Sequence, residues 1–163
     1  MAYNYLVMKT LQIESQTARR LYSTAAPELK SILVETFGKE FFDANIFERV
    51  KSYEDACSEL GEQPLNEAEL KSLSFTDDEI AYRKLKTITR ALNEDPRPDM
   101  FDAKIKKWYP YFRGYSSGFA FYDSRCCYSS AGARYASRLC FKSSELAAYA
   151  GRQFTDLYRR FIL

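Results

Sequence analysis

Apolar residues recur with helical spacing through the first part of the chain, and near residue 105 the period shortens toward two. The clearest helical stretch lies behind Thr76-Asp77-Asp78-Glu79, a threonine cap with a glutamate three residues on. Ala81, Leu85, Ile88 and Leu92 follow at i, i+4, i+7 and i+11, which predicts a helix over about 77–93. Asn93 to Pro98 ends it and is the best internal boundary. Shorter helices are expected earlier. Ser15 is placed to cap a segment through Tyr22. Pro27 suits a first helical position, Leu29, Ile32, Leu33 and Phe37 keep helical spacing, and Gly38 can end the segment. Ser52 precedes Tyr53-Glu54-Asp55-Ala56-Cys57, with carboxylates in the first turn and Gly61 as the stop. Asn66-Glu67-Ala68-Glu69 resembles a further capping box.

Beyond Pro98 the pattern predicts strands. Residues 105–113 and 118–128 are rich in aromatics, and Gly114-Tyr115-Ser116-Ser117-Gly118 between them reads as a longer hairpin loop. Pro110 marks the first strand as an edge or a bulge. A looser segment, 129–136, leads to a short third strand, Ser137 to Phe141. Ser143 or Ser144 then caps a last helix whose apolar face is Leu146, Ala150, Phe154, Leu157 and Phe161. The expected fold is one α+β domain over residues 1–163. A helical part (1–98) is followed by a small antiparallel sheet, a hairpin plus third strand, packed on a long C-terminal helix (99–163).

Candidate chemistry narrows quickly. The chain has no histidine, which removes Ser-His-Asp and Cys-His catalysis within one chain. Gly114-Tyr115-Ser116-Ser117-Gly118 matches a nucleophile elbow by letters alone, since an elbow needs a following helix and a histidine partner. No phosphate-cradling glycine loop occurs among the 6 glycines. The 4 cysteines, Cys57, Cys126, Cys127 and Cys140, lack the paired spacing of a zinc site. Vicinal Cys126 and Cys127 should point to opposite faces of a strand, and Arg125 beside them would favour a thiolate. The acidic groups at Glu54-Asp55, Glu67-Glu69 and Asp77-Glu79 are explained as helix caps. Asp99, Asp102 and Asp123 are left as candidates for an acid/base or metal role. No catalytic residue, metal ligand or cofactor is assigned. Met1 to Ile13 has no basic leader region and no stretch is long enough to span a bilayer, so the chain reads as a cytoplasmic protein with no membrane partner.

Charge and aromatic content change the picture at one place. Residues 1–98 carry 13 Lys+Arg and 17 Asp+Glu, a net −4, and residues 99–163 carry 11 and 5, a net +6. The second part also holds 16 of the aromatic residues. They concentrate in the hairpin. Lys107, Tyr109, Tyr111 and Arg113 share one face of its first strand, and Lys106, Trp108 and Phe112 the other. On the second strand Phe119, Phe121, Asp123, Arg125 and Cys127 alternate with Ala120, Tyr122, Ser124, Cys126 and Tyr128. The candidate binding residues are Lys107, Trp108, Tyr109, Tyr111, Arg113, Tyr122 and Arg125. Tyrosine among cations on a sheet suits a protein interface, with a protein partner or a homo-oligomer as the expected ligand. Single-stranded nucleic acid is the alternative, although no RNP-like string is present. A carboxylate- or metal-dependent enzyme is the third reading.

Several strings together carry a resemblance: Tyr53-Glu54-Asp55-Ala56-Cys57-Ser58-Glu59-Leu60-Gly61, Lys107-Trp108-Tyr109-Pro110-Tyr111-Phe112, Ser117-Gly118-Phe119-Ala120-Phe121, Ser137-Arg138-Leu139-Cys140-Phe141-Lys142 and Ala148-Tyr149-Ala150-Gly151-Arg152-Gln153-Phe154. From about residue 17 onward the chain resembles a group of small uncharacterised proteins encoded by phages and integrated elements of gut bacteria. The resemblance implies a phage or mobile-element setting in a bacterial host and assigns no catalytic residue.

Overall fold

Local side-chain caps start several of the helices. Ser52 Oγ accepts from the Asp55 N–H while Asp55 accepts from the Ser52 N–H, and so opens α5 (Tyr53–Leu60). Gly61 closes that helix in the left-handed region at φ 66°. Asn45 and Glu48 form the same reciprocal box at α4 (Ile46–Arg49), whereas at α6 (Glu67–Ser72) Asn66 caps one way, its Oδ1 accepting from the Ala68 and Glu69 N–H groups. At Thr76 both the N–H and the hydroxyl donate to Glu79, starting α7 (Asp77–Asn93). Pro27 stands first in α2 (Pro27–Phe37), and Gly38 ends it at φ 82°. The remaining N-terminal helices are α1 (Ser15–Thr24) and α3 (Lys39–Asp43). The computed structural model describes residues 13–94, 99, 102, 104–116, 118–127 and 138–163, without the side chains of Gln16 and Cys127. The expected boundary at 95–98 and the looser segment 129–136 lie outside the described residues.

β1 (Lys107–Tyr115) and β2 (Gly118–Cys127) form an antiparallel pair. The strands run closer to the turn than expected. Tyr115 pairs with Gly118, so positions 116 and 117 alone connect them. α8 (Ser144–Gln153) lies across the inner face of this pair, and α9 (Thr155–Ile162) follows it back onto α7. The core joins α5, α7, α8 and α9 around Tyr53, Leu85, Ile88, Leu92, Phe141 and Tyr158. Gly151 is where α8 meets the hairpin. A Cβ there would stand 2.2 Å from the Phe121 ring and 2.9 Å from Pro110 Cβ, so only glycine allows this approach.

Two expectations need correction. A third strand over Ser137 to Phe141 is not present among the described residues. Phe141 makes one bridge, donating to and accepting from Trp108 at 2.7 and 3.0 Å. Trp108 therefore turns its backbone polar groups away from β2, and Pro110 two residues on turns the same way. Extending the pairing would require an N–H that Pro110 lacks, so the third strand stops at one bridge. The long C-terminal helix is likewise broken, at Phe154 (φ −114°, ψ 29°). Next to the break Thr155 Oγ1 donates to the Gly151 carbonyl at 2.6 Å, a side-chain bond that competes with the helical ladder and bends it.

Glu67 ties α6 to the two helices beside it. Its carboxylate accepts from Lys84 and, at 3.1 Å, from Arg160. Chiefly the Lys84 hydrogen bond and then that of Arg160 hold its pKa at about 2, below the ordinary 4.5. The folded value lies below the unfolded one. The contact therefore stabilises above pH 4.5 and is lost as the pH falls through about 2. With the carboxylate a third exposed, it contributes on the order of 1 kcal/mol or less. The melting-temperature difference between wild type and Glu67→Gln should be constant near neutrality and shrink toward zero from pH 4.5 to 2. A difference that does not change over that range contradicts this.

Candidate functional site

A break in strand alternation builds the outer face of the hairpin. From Lys107↔Cys127 to Tyr111↔Asp123 the pairing keeps one register. Beyond it Phe112 pairs with Phe121, leaving Tyr122 as the extra residue of a bulge. Strict alternation would put Phe119, Phe121, Asp123 and Arg125 on one face. The bulge divides them. Phe119 and Phe121 turn inward with Phe112, whose ring stacks on Phe119 at 4.8 Å and packs on Tyr158. Asp123 and Arg125 turn outward with Tyr111 and Tyr109, and Tyr122 joins them.

The outward side chains form a ladder. The Arg125 guanidinium lies 3.6 Å from the Tyr111 ring centroid, Tyr111 meets Tyr122 edge-on at 6.2 Å, and the Arg113 guanidinium lies 3.4 Å from the Tyr122 ring. Tyr122 is 49% exposed, and both arginines are exposed. The tyrosines and Arg125 hold each other in place on an otherwise open sheet face. Asp123 is the carboxylate of this face, and it accepts from the Ser124 N–H at 2.7 Å. Arg152 of α8, 5.3 Å from the Phe121 ring, and Arg159 of α9, which donates to the Phe119 carbonyl, lie on the side of the hairpin that the helices cover.

Of the residues expected from sequence, the structure thus gathers Tyr109, Tyr111, Arg113, Tyr122 and Arg125 on one exposed or half-exposed face. Lys107 and Trp108 are elsewhere. Lys107 is 0% exposed, and its ammonium donates to the Asp102 and Ile105 carbonyls at 2.6 and 3.3 Å. It closes the turn that leads into β1. Trp108 packs against the core and bridges to Phe141. Tyr115, 53% exposed, continues the outer alternation and was hidden by its place in the expected loop. Reading the period-two pattern two residues further would have found it.

The other candidate chemistry falls differently. Asp102 accepts from the Lys104 N–H, as Asp123 does from its own neighbour. Cys57 and Cys140 are buried and Cys126 half-buried, and burial pushes the Cys57 thiol up from its ordinary value. The side chain of Cys127 lies outside the described residues. Among the described residues no three His, Cys, Asp or Glu side chains stand together as a metal site, and no helix is long and apolar enough to cross a membrane. Two carboxylates do meet beside a cavity of about 370 Å³, lined by Arg19, Arg20, Glu59, Glu94 and Lys142. Arg19 holds both oxygens of Glu59 at 2.7 and 2.8 Å, and Arg49 binds Glu59 and Glu94 together. These carboxylates are the anions of an ion-pair network and not free acids or bases. Compared with known proteins, the chain matches no family model, no curated protein and no solved structure.

Proposed function

We propose that this protein is a non-enzymatic binding protein whose working surface is the outer face of the hairpin, and that this surface takes an acidic face of a protein partner. The observation that carries the reading is the Arg125–Tyr111–Tyr122–Arg113 ladder. Tyrosine and arginine are the side chains that dominate binding energy at protein interfaces, and rotamers already held in place lose less entropy on binding. The cations outnumber Asp123, which selects a partner of opposite sign. Two copies of this face would oppose arginine to arginine. Self-association would therefore pair the hairpin with the acidic helical part of a second copy. Tyr111 and Tyr122 each already have one ring face covered by an arginine, which supports a protein over a bare stacking platform for bases. The setting we propose is the cytoplasm of a bacterium carrying a phage or integrated element, on the strength of the resemblance above.

The test offers a displayed library of random peptides to the protein and to its R113E/R125E variant. Acid-rich peptides should be enriched, and the variant should bind them roughly a hundredfold or more weakly. Enrichment without acidic bias, or equal binding by the variant, overturns the reading. A thymidine oligonucleotide forms the second arm. Binding that the same variant loses and that falls steeply with salt would assign the face to single-stranded nucleic acid instead.

A further inference from the structure

A second concentration of positive charge surrounds a cavity of about 320 Å³ beside α7. Arg83, Lys86 and Arg90 stand at i, i+3 and i+7 on one helix face, with Thr87 among them. Leu65 supplies an apolar wall, and Arg138 enters from the segment before the Phe141 bridge. Four cations thus converge from two separate stretches of chain. Among the described residues the one ion pair they make is between Arg90 and Glu62, at 2.6 Å. The Arg83 guanidinium lies 4.6 Å from the Phe75 ring centroid, and the Lys86 ammonium 5.0 Å from that of Tyr82. Neither contact neutralises charge. Burial, and then the like charges of Arg138 and Arg83, push the Lys86 ammonium below its ordinary pKa. The repulsion is a cost that an anion seated in the cavity would reverse.

We infer that this cavity is a binding site for a phosphate ester, separate from the hairpin face. Arginine forks match phosphate oxygens two at a time, Lys86 adds a point charge and Thr87 a hydroxyl donor. The volume is near the lower end for small-molecule sites, enough for a phosphate and its attached sugar, with Leu65 against the apolar edge. The ester is either a free nucleotide or the backbone of a nucleic acid, which present the same group.

Melting temperature is the readout, with inorganic phosphate, a nucleoside monophosphate and a short single-stranded oligonucleotide as probes, and sodium chloride at matched ionic strength as control. At least one probe should raise the melting temperature saturably where chloride does not. The K86Q/R138Q variant should require at least tenfold more of that probe, yet without it should melt no lower than wild type, because like-charge repulsion is relieved. R83Q should weaken the response in the same sense. R113E/R125E should keep it, so failure here and failure of the hairpin reading are separable. A tighter response to the monophosphate identifies a free nucleotide, and a response to the oligonucleotide alone identifies a backbone phosphate. No saturable shift with any probe, or an unchanged shift in K86Q/R138Q, overturns the site.

Discussion

Replacing Glu59 by alanine should destabilise the protein by about 3–5 kcal/mol, the cost of removing one partner from a buried ion pair. Glu59 lies in α5 with its carboxylate nearly buried, between Arg19 of α1 and Arg49 of α4. Arg19 also donates through Nε and Nη2 to the Phe41 carbonyl, and Arg49 through Nε to the Ala44 carbonyl. The one carboxylate therefore fixes two guanidiniums that together hold four N-terminal elements. Without it, two cations stand together with little solvent to screen them. Glu94, more exposed, pairs with Arg49 and, at 3.9 Å, with Lys142, and makes no direct pair with Arg19. In thermal melts the loss corresponds to roughly 6–20 °C for a chain of this size. Glu59→Gln should fall between wild type and Glu59→Ala, since an amide oxygen still accepts one hydrogen bond. A Glu59→Ala protein within about 1 kcal/mol of wild type would mean the network contributes no more than an exposed pair does.

Asn93→Ala should cost about 2–6 kcal/mol, because it leaves two backbone groups without partners at about 1–3 kcal/mol each. Asn93 ends α7 and is fully buried. Its Nδ2 donates to the Cys140 carbonyl at 2.9 Å and its Oδ1 accepts from the Lys142 N–H at 2.9 Å. The side chain acts as a peptide group would, pairing with the segment on both sides of Phe141. That segment carries the single bridge to Trp108, so the substitution should also loosen β1. Asn93→Asp is the sharper control. It keeps an acceptor for Lys142 but turns an oxygen toward the Cys140 carbonyl, and it should be destabilised although its volume is unchanged. Urea melts that show Asn93→Asp equal to wild type would refute this account.

Helix starts were the most legible part of the fold, because a cap is a local arrangement of two or three residues. Ser52 with Asp55 and Thr76 with Glu79 need nothing distant to form. The break at Phe154 was not legible. An unbroken apolar stripe runs through it, and the bend depends on which carbonyl the Thr155 hydroxyl takes. The hairpin was legible as a hairpin, but its bulge was not. Alternation alone assigns Phe121 and Asp123 to one face, and the shift that separates them is set by Phe121 docking against Gly151 on a helix distant in sequence. Lys107 was misplaced for a related reason. A lysine in an aromatic strand reads as exposed, whereas the turn before it presents two carbonyls that bury its ammonium. Arg83, Lys86 and Arg90 could be read as a solvated helix face, and only Arg138, about fifty residues away, turns that face into a cavity.

Whether ligand meets the outer face of the hairpin is decided by amide-resolved NMR, titrating an acid-rich peptide selected on the protein. The resonances of Tyr109, Tyr111, Arg113, Tyr122 and Arg125 should move together and saturate at one peptide per chain, with α1 to α6 unchanged. Shifts confined to the helical part, with the hairpin resonances still, would contradict the account.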